Sequence, residues 1–322
     1  MTEPVPRGPV EAATTSRPHH TKGHGVPELQ VRTADGRTLT AAVAGDPDGA
    51  PVFLLHGTPG SRVGQLPPER RLYRLGIRVV TYDRPGYGRS DRQPGRRISD
   101  AAADVAAVAD RLQLRTFGVV GRSGGCPHAL ACAALLPERV TRVAALVSIA
   151  PRDAAGLNWF EGMTESNIRA YTVGERSLDL LALEIKGRVA AMREQPRLLL
   201  ESLRHELPDA DLAVIADAGV RSSLARAHNE AVRAGADGWI DDVVAFLRPW
   251  GFDLGAITRP VELWHGADDI FSPVAHTRWL GSRIPGAQVR VEQRAAHFKA
   301  WHVLLDVLTR AAADAPAGEA LR

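Results

Sequence analysis

The stretch TFGVVGRSGGCPHALACAALLP, residues 116–137, changes texture at its middle. Residues 116–121 form a short apolar run, the pattern of a strand buried on both faces. Residues 127–136 are rich in alanine and leucine and are stopped by Pro137, which predicts a helix. Between them stands Gly121-Arg122-Ser123-Gly124-Gly125. A G-x-S-x-G match is weak by itself in a chain with 30 glycines, so its place in the chain supplies the weight. A sharp strand-to-helix turn holds its serine in a strained backbone that the flanking glycines permit. It exposes the hydroxyl at the C-terminal edge of a sheet, and the helix N-terminus behind it favours developing negative charge.

The same texture extends to both sides. LQVRTA and RTLTAAVAG flank the Asp35-Gly36 turn and predict an opening hairpin. PVFLLHG (51–57), IRVVTYD (77–83), VAALVSIA (143–150), PVELWHG (260–266) and AQVRVEQ (287–293) read as further strands, several ending in Gly, His or Asp. Helix signals lie between them. Ser99 is placed to cap a run in which Val105, Val108 and Leu112 share a face, and two later helices are predicted over 273–284 and 299–312. The expected fold class is therefore α/β, a mainly parallel sheet flanked by helices.

The alternation lapses over residues 152–238, where charged stretches with helical periodicity are broken by Pro196 and Pro208. They read as an inserted helical cap, with 11 Lys or Arg against 14 Asp or Glu. The expected organisation is a flexible tail over 1–25, a core in two parts over 26–151 and 239–312, the cap between them, and a short flexible tail over 313–322. Residues 1–25 have few large apolar side chains with which to offset the entropy of ordering. Their His19, His20 and His24 lack Cys or carboxylate neighbours at ligand spacing, so no metal site is expected there.

Composition narrows the classes of function. The 322 residues are 44% hydrophobic and 24% charged, as in a globular protein, and the net charge of +3 implies no nucleic-acid partner. Only Lys22, Lys186 and Lys299 are lysines, so arginine carries almost all the positive charge, a bias that reads as compositional. Two cysteines, Cys126 and Cys132, exclude a disulfide scaffold. Six residues apart on one helix they would be about 9 Å apart, beyond disulfide reach. Free thiols suit a cytoplasmic location. No apolar run approaches a membrane span, and the N-terminal residues carry no apolar signal core.

A serine hydroxyl needs a base to take its proton, and the base needs a partner that fixes its tautomer. Both lie downstream of Ser123 in loops after predicted strands: Asp269 in HGADDIFSP (265–273), then His297 in AAHF (295–298). Asp268 and Asp153 are alternative acids, and His302, one turn into a helix, is an alternative histidine. In this order of nucleophile, acid and histidine, the chain resembles the α/β-hydrolase fold family over about residues 28–312.

Four segments carry the resemblance. His56-Gly57-Thr58-Pro59-Gly60 is similar to the family's oxyanion-hole loop, which implies that the Thr58 and Gly124 N–H groups face the oxyanion. Asp83-Arg84-Pro85-Gly86-Tyr87-Gly88-Arg89-Ser90 is similar to its D-x-x-G-x-G-x-S bracing loop. The third is the turn at Ser123, and the fourth is the Gly266, Asp269, Pro273 spacing. The resemblance implies a serine hydrolase of ester-like bonds in a small molecule, with no metal or organic cofactor. Acyl transfer, lactone opening, C–C cleavage and a ligand-receptor role are alternatives on the same residues. A serine nucleophile argues against the dehalogenase and epoxide-hydrolase branches, which use aspartate. HGTPG and the cap resemble proline iminopeptidases, from which Thr58 and GRSGG depart.

Other side chains are expected to serve the site or only the scaffold. Arg122 is a candidate to meet a substrate anion, and Trp159, Phe160 and Met163, with Tyr171 nearby, are candidate pocket residues that equally suit an anchor for the cap. Arg84, Arg89, Arg92, Arg96 and Arg97 lie after the fourth strand, either as a solvated face or as a recruiting patch. His56 is expected to hydrogen-bond its own loop. His128, His205, His228, His265 and His276 show no partner spacing. The sequence leaves oligomeric state open.

Overall fold

The computed structural model describes residues 28–64, 66–194 and 204–315. The predicted tails and the helix break at Pro196 lie wholly or largely outside these residues. Eight strands form one sheet: β1 (Glu28–Arg32), β2 (Thr38–Gly45), β3 (Ala50–Leu55), β4 (Ile77–Tyr82), β5 (Phe117–Arg122), β6 (Val140–Leu146), β7 (Val261–Gly266) and β8 (Gln288–Glu292). Their spatial order is β1-β2-β4-β3-β5-β6-β7-β8. The β1–β2 hairpin and the β2–β4 pair are antiparallel and every later pair is parallel.

The central strands are apolar on both faces, and alternate residues enter different layers. Phe53, Leu55, Phe117, Val119, Val143 and Ala145 join one buried cluster, with α2 (Ala101–Arg111), α3 (Cys126–Leu135) and α9 (Val274–Arg283). Val52, Leu54, Val120, Ala144 and Leu146 join the other, with α1 (Glu69–Arg74) and α10 (Ala300–Ala312). The sheet is thus covered on both sides, and the C-terminal ends of β3, β5, β7 and β8 point their loops to one edge.

Two local readings differ. β6 ends at Leu146 rather than at residue 150, because Val147 turns to φ 54°, a left-handed conformation a β-branched residue rarely adopts. Ser99 does not cap α2. It lies inside a 3-10 turn, Ile98–Asp100, where the Asp100 carboxylate accepts the Arg97 N–H at 2.9 Å.

Between β6 and β7 the described helices are α4 (Glu165–Arg176), α5 (Leu178–Glu194), α6 (Asp209–Ile215), α7 (Ala218–Ala231) and α8 (Asp237–Leu247). Thr164 and Asp217 cap α4 and α7 by accepting the Asn167 and Val220 N–H groups, and Pro208 precedes α6. The boundary expected at 238/239 falls inside α8. Leu181, Ile185, Val189 and Met192 of α5 share the larger buried cluster with Ile240, Val243 and Phe246 of α8 and with the sheet. No described helix is long and apolar enough to cross a membrane.

Candidate active site

Ser123 follows β5 directly with φ 52°, and a single 3-10 turn, Ser123–Gly125, carries the chain into α3. The tightness explains the glycines. A Cβ on Gly121 would stand 2.6 Å from Gly125 O and from the Cys126 Cα, and one on Gly125 would collide with Leu55 O of β3. With no side chain at either position, the strand can reverse into the helix against its neighbour, leaving Ser123 half-buried at the sheet edge.

On the loops after β7 and β8, the His297 Nδ1–H donates to Asp269 Oδ2 at 2.8 Å. Asp269 also accepts the Phe271 and Ser272 N–H groups on Oδ1, at 2.8 and 3.1 Å. Burial works against its charge, but His297 and His265 outweigh it and hold the carboxyl well below the usual range. An ionised acceptor keeps the His297 proton on Nδ1 and leaves Nε2 with its lone pair. Asp268 and Asp153 are exposed, as is His302, so neither alternative acid is buried beside a histidine base.

His265, four residues before Asp269, has partners that its spacing in the chain does not reveal. It is buried with Nε2 2.6 Å from Ser272 O and 3.3 Å from Asp269 Oδ2, and Nδ1 2.6 Å from Thr277 Oγ1. His276 accepts the Ala150 N–H and donates to Trp159 O, and His128 donates to Gly124 O at 2.8 Å. His205 is exposed. His56 uses Nδ1–H on Gly57 O and accepts the Arg84 N–H on Nε2, so it holds its own loop. Burial and the Arg84 charge keep it neutral.

The loop after β3 rests on a buried ionic cluster. Asp242 of α8 is fully buried and accepts Arg84 Nη2 at 2.6 Å, Arg96 Nη2 at 2.7 Å, Tyr87 OH at 2.8 Å and Thr58 Oγ1 at 2.5 Å. Burial opposes its ionisation, but Arg84 and Arg96 prevail and hold it far below the usual carboxylate range. Arg84 also donates to His56 O and Gly57 O. The bracing loop is fixed in the same manner, with Asp83 accepting from Arg62 and the Arg89 N–H.

The arginines after β4 divide: Arg89, Arg92 and Arg97 are exposed, as on a solvated face, whereas the other two are enclosed. Arg84 and Arg96 are buried on Asp242, and Arg92 pairs with Asp237 and Asp241. Their partners sit some 150 residues away, which is why the cluster escapes a reading of local spacing. The visible signal is an acid inside the apolar run WIDDVVAFL, residues 239–247.

A cavity of about 770 Å³ opens over the sheet edge. Thr58, Arg122, Ser123, Gly124, Ser272 and His297 form its floor, and Tyr171, Met192, Leu224, Trp239 and Phe246 are among the walls from the helices. Trp159, Phe160 and Met163 do not line it. Trp159 and Met163 are buried; the Trp159 indole donates to Ala150 O and packs on Phe160, Tyr171 and His276. These three side chains anchor the start of the insertion. Among the described residues no three His, Cys, Asp or Glu side chains gather as a metal site.

A second missed residue is Asp211 of α6. It is fully buried, accepts the Phe298 N–H on Oδ1 at 2.7 Å, and has Oδ2 without a partner. Burial, opposed in part by His297, pushes its pKa up to about 6. Because the folded value lies above the unfolded one near 4, ionisation costs stability. That cost is absent in acid, grows as pH rises from about 4, and is complete above about 6. Asp211→Asn is therefore expected to gain stability over wild type as pH rises from 4 to 7, by about 1–3 kcal/mol, read from urea midpoints. A pH-independent difference would refute this ionisation penalty.

With the fold and site in place, comparisons give the relationship. The family model described as alpha/beta hydrolase fold matches residues 50–301. The chain belongs to the α/β-hydrolase fold family. It is 28% identical over 273 residues to rhodomycin D methylesterase DnrP of Streptomyces peucetius, covering 80% of this chain and 88% of that protein. It is 27% identical over 292 residues to a proline iminopeptidase of Neisseria gonorrhoeae, covering 84% and 90%. The match to the uncharacterized hydrolase YcgS of Bacillus subtilis (strain 168) is 32% identical over 112 residues, and spans 35% of this chain and only 38% of that protein. Among solved structures, an alpha/beta hydrolase fold protein from Nakamurella multipartita superposes with a TM-score of 0.63 at 24% identity, over 89% of this chain and 98% of that one.

Proposed function

We propose that this α/β-hydrolase is a serine hydrolase of ester-like bonds in small molecules. The observation that carries the reading is the Asp269–His297 hydrogen bond of 2.8 Å, with His297 and the strained Ser123 lining one cavity. His297 Nε2 takes the Ser123 proton as Oγ attacks the ester carbonyl, and Asp269 stabilises the imidazolium that forms. The Thr58 and Gly124 N–H groups receive the oxyanion; such donors are worth about 3–4 kcal/mol in comparable sites. His297 then protonates the departing alcohol, and water, activated by the same histidine, releases the acid and restores Ser123.

The helices of the insertion act as the cap and supply the apolar walls that select the substrate. The buried free thiols Cys126 and Cys132 suit a reducing, cytoplasmic compartment. The likeness to a methylesterase over most of both chains supports ester chemistry. A fluorophosphonate is expected to label Ser123, read by peptide mass, and to abolish turnover of p-nitrophenyl butyrate in step with labelling. Labelling elsewhere, or turnover that survives complete labelling, would overturn the reading.

A further inference from the structure

Arg122 is the last residue of β5, directly before the nucleophile, and lines the cavity. Other buried arginines are matched by acids: Arg62 by Asp83 and Glu230, and Arg84 and Arg96 by Asp242. The cavity's Arg188 pairs with Glu184 at 2.6 Å. Among the described residues no carboxylate lies within 4.0 Å of the Arg122 guanidinium. Its Nε and Nη2 are buried without a hydrogen-bond partner, and burial pulls its pKa down to about 10.

The nearby acids, Asp211 and Asp269, act on Arg122 through space and make no ion pair with it, and Asp211 keeps one carboxylate oxygen unpartnered. Asp269 is taken by His297, and the bonded oxygen of Asp211 by the Phe298 N–H. Arg122 is instead held by rings: its guanidinium carbon lies 4.2 Å from the Trp301 ring centroid and 5.9 Å from that of Phe298. Stacking covers the face of the fork and fixes its plane without neutralising its charge. His228, on the same cavity wall, is kept neutral by burial and by the Arg122 charge, so it adds no second cation. The position is close to the chemistry. An ideal Cβ on Gly57 would stand 3.4 Å from Ser123 Cβ and 3.5 Å from Arg122 Nη1, so both atoms lie against Gly57.

We propose that Arg122 is the receptor for a carboxylate carried on the acyl part of the substrate, a few bonds from the scissile carbonyl. This rests on the serine-hydrolase reading and narrows its substrate class to monoesters of short dicarboxylic acids. A planar guanidinium beside the nucleophile matches a carboxylate, and the ligand supplies the direct hydrogen-bonded partner that Asp211 and Asp269, acting only through space, do not. The reaction is otherwise unchanged. The Ser123 Oγ–acyl bond forms as the ester C–O bond breaks with a proton going to the alcohol, and one water then yields the dicarboxylic acid.

The test compares ethyl butyrate with monoethyl succinate, in which a carboxylate replaces the terminal methyl, by pH-stat. Wild type is expected to prefer the succinate monoester in kcat/KM by about 10-fold or more, and Arg122→Met to lower that ratio by about 10- to 100-fold. Arg122→Lys, which keeps the charge but loses the planar fork, should fall between them. A wild-type ratio at or below one, or a ratio unmoved by Arg122→Met, overturns the proposal, and if Ser123 is still labelled the hydrolase reading survives it. A separate readout covers the other cases. Succinate, but not neutral succinamide, is expected to raise the melting temperature of wild type and to slow fluorophosphonate labelling of Ser123. If neither ester is turned over and Ser123 is not labelled, the hydrolase reading fails, while a succinate-specific melting shift lost in Arg122→Met still supports the anion site, and its absence removes it. If Arg122→Met does not fold, the wild-type ester ratio and the succinate-over-succinamide difference decide.

Discussion

Ser123→Ala is expected to lower kcat for p-nitrophenyl butyrate by about 10,000- to 1,000,000-fold while leaving the melting temperature within about 2 °C of wild type. The two halves of this expectation have different origins. In the proposed mechanism Oγ is the atom that forms the acyl bond, so once it is removed no rearrangement of His297 or of the Thr58 loop can compensate. The backbone, by contrast, is held at φ 52° by glycine contacts at positions 121 and 125, not by the hydroxyl. Alanine meets the same left-handed strain as serine and buries no new polar group. A triad of Ser123, Asp269 and His297, as proposed, acts as a unit, so adding His297→Ala to Ser123→Ala should cost less than about threefold more. Residual activity above about 1% of wild type, or two losses that multiply, would place the nucleophile elsewhere.

What could be read from residue order was local or set by strand patterning. The turn at Ser123 follows from sterics within five residues, and the strands follow from apolar runs that fill two layers. The edge at which Ser123, Asp269 and His297 gather follows from parallel strands having a common C-terminal end. What escaped the sequence depends on partners distant in the chain. Whether Trp159 faces a cavity or a core is decided by Ala150 and His276, and whether Arg84 is solvated is decided by an acid 158 residues later. His265 and Asp211 share that cause. Each is an unremarkable residue type whose role appears only when another loop is brought against it, the Asp269 loop for one and the Phe298 backbone for the other. Ser99 failed differently: it lies inside the 3-10 turn that leads into α2, so the N-cap position falls one residue later, on Asp100, whose side chain makes no cap bond.

Asp242→Asn is expected to destabilise the protein by about 3–5 kcal/mol at pH 7, a fall of roughly 10 °C in melting temperature. An amide has nearly the same shape, so the loss is electrostatic: Arg84 and Arg96, both almost fully buried, lose the carboxylate that neutralises them. Tyr87 and Thr58 keep an acceptor only if the amide oxygen turns toward them, which puts its NH2 toward the guanidinium groups. The pH dependence follows from the direction of the Asp242 shift. Its folded pKa is depressed, so the stabilisation is fully present above the unfolded value near 4 and is lost as pH falls through the folded value. The gap between wild type and Asp242→Asn should therefore be constant from pH 5 to 8 and narrow only in stronger acid. The neighbouring Asp241→Asn is the internal comparison. Its partner Arg92 is 39% exposed, and a pair open to water on one side is worth about 1 kcal/mol or less. Equal losses in the two variants, measured by urea denaturation, would show that burial does not set the value of this cluster. Because Thr58 Oγ1 hangs on the same carboxylate, Asp242→Asn should also lower kcat for p-nitrophenyl butyrate at temperatures where it remains folded, whereas Asp241→Asn should not. The ionic cluster would then be what holds the Thr58 N–H in place, and the stability of α8 and the geometry of the oxyanion loop would fail together.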